Sequence, residues 1–398
     1  SDSVGGGDSE TAAMLEIAEK PRLRLLLDHF ALIEDDREGW RVAYPLPEVL
    51  LLVVCGTIAS GDDFEDIADW GEDNLAFLRR FLPYHHGVPG ARWLRMLMNR
   101  IDPSLFCACF QSWAAALRPD APDLVAIDGK TSRGSHDRRR GRAALHLVSA
   151  FATRERLVIG QEAVAEGSCE QDTIPLLLER LASAKALDGA LVTIDAIACN
   201  PKVAKAVVDA GADYLIAVKA NQPGLFAEIE RFFDDPQSPR LDRAADIDKG
   251  HGRVEQRRIA VSTHVDWMKG ERRFPGEYRL PDIAAIVMVE AETFEKGNTS
   301  RSRRFYVSSR AMTAPQAAIA IRAHWAIETS LHWVLDVTFN EDKARGRTGH
   351  GPANMAVLRH FAFNLIRMVD DRRSIRLRRK RAARNNQYLA HILQPLPR

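Results

Sequence analysis

The chain has 398 residues, 46% of them hydrophobic and 27% charged, which excludes bulk disorder, a fibrous repeat or a mini-scaffold and leaves room for two or three domains. Fifty-five Lys and Arg face 54 Asp and Glu, a formal net charge of +1, so attraction to a polyanion has to come from local clusters rather than from overall charge. The five cysteines, Cys55, Cys107, Cys109, Cys169 and Cys199, are dispersed with no C-x-x-C pair, which argues against a disulfide framework or a cysteine zinc site and for a reducing cytoplasm.

The first stretch, SDSVGGGDSETA, is polar and Gly-rich with no charged and then apolar signal pattern, so 1–20 reads as a flexible tail and secretion is not expected. From 21 to 120 apolar residues recur at three- and four-residue spacing between Pro and Gly punctuation, the pattern of an all-helical N-terminal domain. Its longest apolar run, VLLLVVCGTIA (49–59), falls well short of the roughly 20 residues of a membrane span and reads as a buried core helix.

The periodicity changes after Pro119 and Pro122. LVAI (124–127) ends in Asp128-Gly129 like a strand buried on both faces, and HLVSAFA and RLVIGQEAVA follow as two more strands. DTIPLLLERLASA is an amphipathic helix, ALVTID (190–195) a second buried strand, and Asn200-Pro201 opens another helix. DYLIAVKANQ is then a strand and GLFAEIERFF a helix, so 121–240 predicts a mixed-sheet α/β domain. Between 241 and 310 the pattern is β-rich, an insertion. Thr313 with Gln316 forms a capping-box start to one long helix through HWAIETSLHWVLDV, which with 311–345 completes the α/β domain; 346–398 holds further helices and the basic run RRSIRLRRKRAAR.

Three carboxylates stand out. Asp128 and Asp195 each end an apolar strand, and Glu328 lies inside a helix where, at about 100° per residue, it shares a face with Ile321, His324, Leu331 and Leu335. A carboxylate on an apolar stripe is costly to bury unless a cation or donor meets it. If the three converge, their repulsion calls for divalent cations, and hard Mg²⁺ or Mn²⁺ with oxygen ligands suits a phosphodiester displacement. Each acid also has a plain structural reading: Asp128 as a turn former before Gly129, Glu328 as half of a salt bridge. Asp195 is harder to dismiss, because Asn200 already supplies the next helix cap.

The segments Ile127-Asp128-Gly129-Lys130, YLIAVKANQ (214–222), HGRVEQR (251–257) and HWAIETSLHWVLDVTFNED (324–342) resemble the H-repeat-associated insertion-sequence transposases over nearly the whole chain. The resemblance implies a DDE transposase with a ribonuclease-H-like mixed sheet interrupted by a β-rich insertion. It makes Asp128, Asp195 and Glu328 the catalytic, metal-binding triad, with Mg²⁺ or Mn²⁺ as cofactor. It also implies double-stranded DNA as partner, at element ends and target, a homo-oligomer holding two ends together, and a cytoplasmic, nucleoid-associated protein. The chain departs from the family at Gly90-Ala91-Arg92, where a Ser-His-Asp-Thr-like stretch is usual, and at Ala196, Ile197 and Asn200.

Candidate DNA contacts are Lys130, Arg133, Lys219, Asn221, Arg253, Arg257 and, in the C-terminal run, Arg378, Arg379 and Lys380, together with the cluster of Arg138 to Arg140 and Arg142. Arg253, Glu255 and Arg257 alternate along one strand face and equally suit an ion ladder. Asp336, about 80° from Glu328 on an α-helix, is a further acid that could approach a metal. Trp325 and Trp333 read as core packing of a long helix. The functional expectation is metal-dependent hydrolysis at element ends followed by 3′-OH strand transfer. The alternatives are a repurposed copy that binds DNA without cutting and a structure-selective nuclease on the same fold.

Overall fold

Strand β1 (Leu124–Ser132) contains the apolar run LVAI and, in the computed structural model of the chain, is paired along both edges. The structure describes residues 21–393 apart from 40, 41, 119, 137–140, 142, 239, 240, 251, 252, 271–276, 278 and 296; the basic cluster at Arg138 to Arg140 and Arg142 and the polar tail therefore lie outside the described residues, as does the side chain of Arg253. Strands β2 (Leu145–Ala152) and β3 (Leu157–Ala163) extend β1 as an antiparallel meander. On the other side β4 (Leu191–Ile194) and β5 (Asp213–Val218) lie parallel to it. Each is reached through a helix, α6 (Glu170–Ser183) and then α7 (Pro201–Asp209), as parallel pairing requires. This is the ribonuclease-H-like mixed sheet that the resemblance implies.

The β-rich segment continues that sheet. β6 (Asp242–Gly250), β7 (Arg253–Ser262), β8 (Ala285–Glu295) and β9 (Asn298–Ser308) are antiparallel, and β9 pairs with β5 from Leu215↔Ser308 to Val218↔Phe305. The order is β3-β2-β1-β4-β5-β9-β8-β7-β6. Without β9, β5 would present a bare row of backbone donors and acceptors.

Helices cover both faces. On one, Val125, Ile127, Val192 and Ile194 pack with α6, α7 and α8 (Pro223–Asp234). On the other, Ala126, Phe151 and Val158 meet a core shared by the front helices α1 (Pro21–Ala31), α2 (Leu46–Ile58), α3 (Phe64–Asp73), α4 (Ala91–Met98) and α5 (Pro103–Ala116) with the back of the chain. The apolar run read as a core helix is α2, with 49–55 fully buried. A helix apolar on every side has to be wrapped, and its partners include α11 (Gly351–Arg367), from the opposite end of the chain. Two further helices, α12 (Ile375–Ala382) and α13 (Asn386–Ile392), close the same core.

Two buried asparagines dock α11. Asn354 donates to the Met98 and Ile101 carbonyls at 2.8 and 2.9 Å. Asn364 accepts from the Val158 amide at 2.9 Å and donates to the Val158 carbonyl at 2.8 Å, occupying backbone groups on the open side of edge strand β3. Replacing Asn364 with Leu strands both Val158 groups in an apolar core, and an orphaned buried group costs about 1–3 kcal/mol. The Asn364→Leu protein should lose about 2–4 kcal/mol of stability in urea unfolding; an unchanged midpoint would show that Val158 finds other partners.

Candidate active site

The parallel register of β1 and β4 ends at Ile127↔Ile194, so the next residues, Asp128 and Asp195, leave adjacent strands side by side, at a spacing of about 4.8 Å. Alternation sends Ile127 and Ile194 into one core and turns both acids to the opposite face, shared with Ala126 and Thr193. There β4 stops while β1 runs on beside β2, and the sheet opens at the carboxyl ends of its parallel strands, where ligand sites of α/β sheets form.

Helix α9 (Ala314–His324) crosses this face. Its Thr313–Gln316 capping box is present, and Ala314, Ala317 and Ala320 let it lie close over Leu191, Leu215 and Val287. At its end His324 Nδ1 meets Thr193 Oγ1 at 2.9 Å, one turn before Glu328. The expected single long helix is interrupted: it turns at Trp325, opens into a π-turn over Glu328–His332 and resumes as α10 (Trp333–Val337). The wider turn corrects the helical phase. Ile327, Leu331 and Leu335 take the buried stripe, while Glu328 is exposed rather than buried on it. Among the described residues no Lys or Arg forms an ion pair with Glu328.

Asp128, Asp195 and Glu328 line one cavity of about 350 Å³, with Thr193, Lys219 and His324. Burial pushes the Asp128 carboxyl up to about 7; the Gly129 amide, donating to it at 2.9 Å, opposes this, and Glu170, Glu328 and Asp195 add repulsion. Asp195 goes the other way: despite burial, the Ala196 amide and Lys219, at 3.0 and 3.2 Å from its two oxygens, hold it below the usual carboxylate range. The loop after it is tied down where Asn221 and Gln222 both donate to the Ala196 carbonyl at 3.1 Å. Of the family departures, Asn200 caps α7 through the Val203 amide, Ile197 is exposed, and Gly90 precedes α4 in open space.

Two neighbours of Asp128, Glu170 and His332, are not among the residues singled out from the sequence. Glu170 opens α6, where a first-turn acid suits the helix dipole, yet it repels Asp128 and is met by His146 at 2.7 Å. His332 lies 3.6 Å from Asp128, and burial pushes its imidazole down to about 4, so it is neutral.

Several expected DNA contacts are otherwise engaged. Lys130 is nearly buried against Asp336 at 2.7 Å and Glu341 at 2.8 Å, with Asp342 at 3.8 Å; this also takes Asp336 away from the three acids. Arg378 and Arg379 turn inward at 6% and 3% exposure, tied to the Ile366 and Thr57 carbonyls, because α12 packs its basic stretch onto the helical core. Arg257 pairs with Glu255 at 2.9 Å in the ion ladder of its strand. Arg133, Lys219 and Lys380 remain exposed. Trp325 and Trp333 are 44% and 57% exposed rather than core, and Arg304 lies over the Trp325 ring.

An all-oxygen set of carboxylates at one cavity is the donor chemistry of a hard divalent ion. As they stand the acids are spread around the cavity, with an ammonium on Asp195: among the described residues no group of three His, Cys, Asp or Glu is close enough to close around one ion.

Residues 119–365 match the family model described as Transposase DDE domain, and 27–114 match its associated N-terminal model. The chain is 35% identical to "H repeat-associated putative transposase YhhI" of Escherichia coli K12 over 93% of its own length and 98% of that protein's. It is 36% identical over 70% of its length to 92% of an "Uncharacterized protein in dhlA 3'region" of Xanthobacter autotrophicus. A further relative, "Inactive transposase YbfQ" of E. coli K12, matches 17% of the chain and 80% of itself at 36% identity. Among solved structures, a piggyBac transposase synaptic complex with hairpin DNA superposes with a TM-score of 0.42 at 11% identity, covering 95% of this chain and 78% of that one.

Because its folded-state value lies above that of a free carboxyl, Asp128 binds its proton more tightly in the native state. Its contribution favours folding at low pH and is lost as the pH rises from about 4 to about 7. In metal-free protein the Asp128→Asn substitution should therefore raise the thermal midpoint at pH 8, by on the order of 2–4 kcal/mol in stability, with the gain vanishing near pH 4. A gain that is the same at both pH values would mean that repulsion and burial do not act on this carboxylate.

Proposed function

The chain belongs to the family of transposases with a DDE domain, and from that premise we propose that it cuts DNA at the ends of a mobile element and joins the freed 3′ hydroxyl to a target, with Asp128, Asp195 and Glu328 as the catalytic acids. The observation that carries this reading is the shared cavity: two carboxylates placed by strand register and a third delivered across the sheet by the π-turn. These three would hold Mg²⁺ or Mn²⁺, which when bound supplies activation of the attacking oxygen and stabilisation of the leaving one.

The chain's own groups do the rest. Lys219 keeps Asp195 ionised and, exposed at the cavity, would also meet a phosphate of the strand being cut. His324, fixed by Thr193, holds the segment carrying Glu328 over β4. Neutral His332 sits against Asp128 without neutralising it. The Lys130–Asp336–Glu341 cluster locks α10 to β1 from beneath, so the opposing acids keep their separation. Exposed Arg133 and Lys380 are further candidates for backbone contact, and Arg253 stays a candidate from its sequence alone. Two element ends held together require a homo-oligomer. No helix among the described residues is long and apolar enough to cross a membrane. The proposed action on DNA places the protein in the cytoplasm, associated with the nucleoid.

Asp128→Asn and Glu328→Gln should each lower Mg²⁺-dependent cleavage of end-bearing duplex by two orders of magnitude or more, while duplex binding changes little. Mg²⁺ or Mn²⁺ should raise the thermal midpoint of the wild type and raise it less in either variant. Cleavage that survives both substitutions would remove the acids from the mechanism. Equal cutting of duplex lacking terminal repeats would point instead to a structure-selective nuclease, and tight binding with no metal-dependent product to a repurposed copy.

A further inference from the structure

Downstream of the acids, the chain runs from 343 to 369 without one Asp or Glu while carrying Lys343, Arg345, Arg347, Arg359 and Arg367. The first three stand on alternate residues, Lys343 closing the 3-10 turn Glu341–Lys343 and Arg345 and Arg347 in the irregular stretch after it, and all three are exposed. They line a second cavity of about 630 Å³ between this stretch and the front helices. The acids there are already engaged: Asp62 holds Arg379 at 3.2 Å, Glu65 holds Arg95 at 2.6 Å, and Asp63 caps α3. Among the described residues Lys343, Arg345 and Arg347 have no ion-pair partner.

The stretch is also anchored at both feet. At one, Asn340, in a left-handed conformation, donates to Asp62 at 2.6 Å, and Asp342 accepts from the Arg133 amide at 3.0 Å. A side chain at Gly134 would strike the Ala344 carbonyl, so β1 and this foot pack backbone to backbone. At the other, Asn99 donates to Thr348 at 3.2 Å and accepts from the Gly351 amide at 2.9 Å. Three unpaired cations on a fixed arch cost little ordering on binding.

We propose that this arch, Lys343, Arg345 and Arg347, is a binding site for the phosphate backbone of duplex DNA, separate from the acid cavity. Two residues of non-helical chain span at most about 6.6 Å, close to two 3.4 Å axial steps of one strand, so the long side chains of Arg345 and Arg347 can reach successive phosphates of a single strand. From Asp128 to Arg133, whose amide joins the arch, β1 covers about 17 Å, or about five base steps. The arch would therefore grip DNA flanking the cut rather than the scissile phosphate. Contacts of this kind set orientation and carry no sequence information. The proposal rests on the function proposed above.

The test uses the full chain, with duplex binding measured across a salt series on both end-bearing and random-sequence DNA. Arg345→Ala together with Arg347→Ala should weaken binding about 10- to 50-fold near 100 mM salt and flatten the salt dependence by about 1.8, at about 0.9 per lost phosphate contact, equally on both DNAs. Arg345→Lys with Arg347→Lys should restore most of the slope. Lys205→Ala, which removes an exposed cation already paired with Asp209, should leave it unchanged. The Gln pair at 345 and 347 repeats the measurement if the Ala pair lowers the thermal midpoint. If wild type and both charge-removal pairs bind alike, the arch is not a DNA site although the function stands. If wild type binds no duplex, both fall.

Discussion

The candidate site is organised around carboxylates that adjacent parallel strands deliver together into a half-buried cavity, where burial first and mutual repulsion second act on Asp128. The β1–β4 register brings Asp128 and Asp195 to neighbouring positions at the point where pairing stops, and Glu170 and Glu328 add to the load on Asp128. The molecule answers this asymmetrically: an ammonium stabilises Asp195, whereas Asp128 has one amide donor and a neutral imidazole. One acid is compensated by a protein cation and the other is left under-compensated, an asymmetry that fits the proposed binding of a divalent ion between them.

Such a pocket needs a frame that does not yield. Behind α10, Lys130 gathers Asp336, Glu341 and Asp342, and Arg359 of α11 approaches Glu341 at 3.7 Å. The same strand thus carries a repelling acid at 128 and, two residues on and facing the same way, an attracting cation. Opposite signs at that spacing separate the acids of the cavity from the ion-paired cluster around Lys130. The π-turn lies between them, letting Ile327, Leu331 and Leu335 fill the core while Glu328 faces the cavity.

Much was legible in the residues alone. The apolar runs ending in Asp128 and Asp195, the capping box at Thr313 and the buried α2 are local patterns, and local patterns survive into the structure because alternation, helical period and caps act over a few residues. The fates of the charged side chains were not legible. Arg378, Arg379 and Lys130 read as surface cations, and each turned inward: Arg378 onto the end of the preceding helix at Ile366, the other two onto partners far along the chain, Thr57 for Arg379 and Asp336 and Glu341 for Lys130. Trp325 and Trp333 failed in the opposite sense, read as core and found exposed: Trp325 ends α9 where the helix turns, and Trp333 follows a non-α turn that rotates the residues after it. Glu170 gave no sign of its place beside Asp128, since a first-turn glutamate is common for reasons of its own.

Composition and periodicity by themselves determined an α/β protein with a helical front and acids at strand ends, while the family came from the resemblance carried by particular motifs such as residues 324–342. Only the tertiary structure decided that the β-rich segment extends the sheet through β5 and β9, that front and back helices share one core, and which charges stand free. The reason is range: strand alternation and helix phase are set by neighbours in the chain, whereas the state of a charge is set by whatever burial and opposite charge the fold brings within a few ångströms, from any distance along the chain.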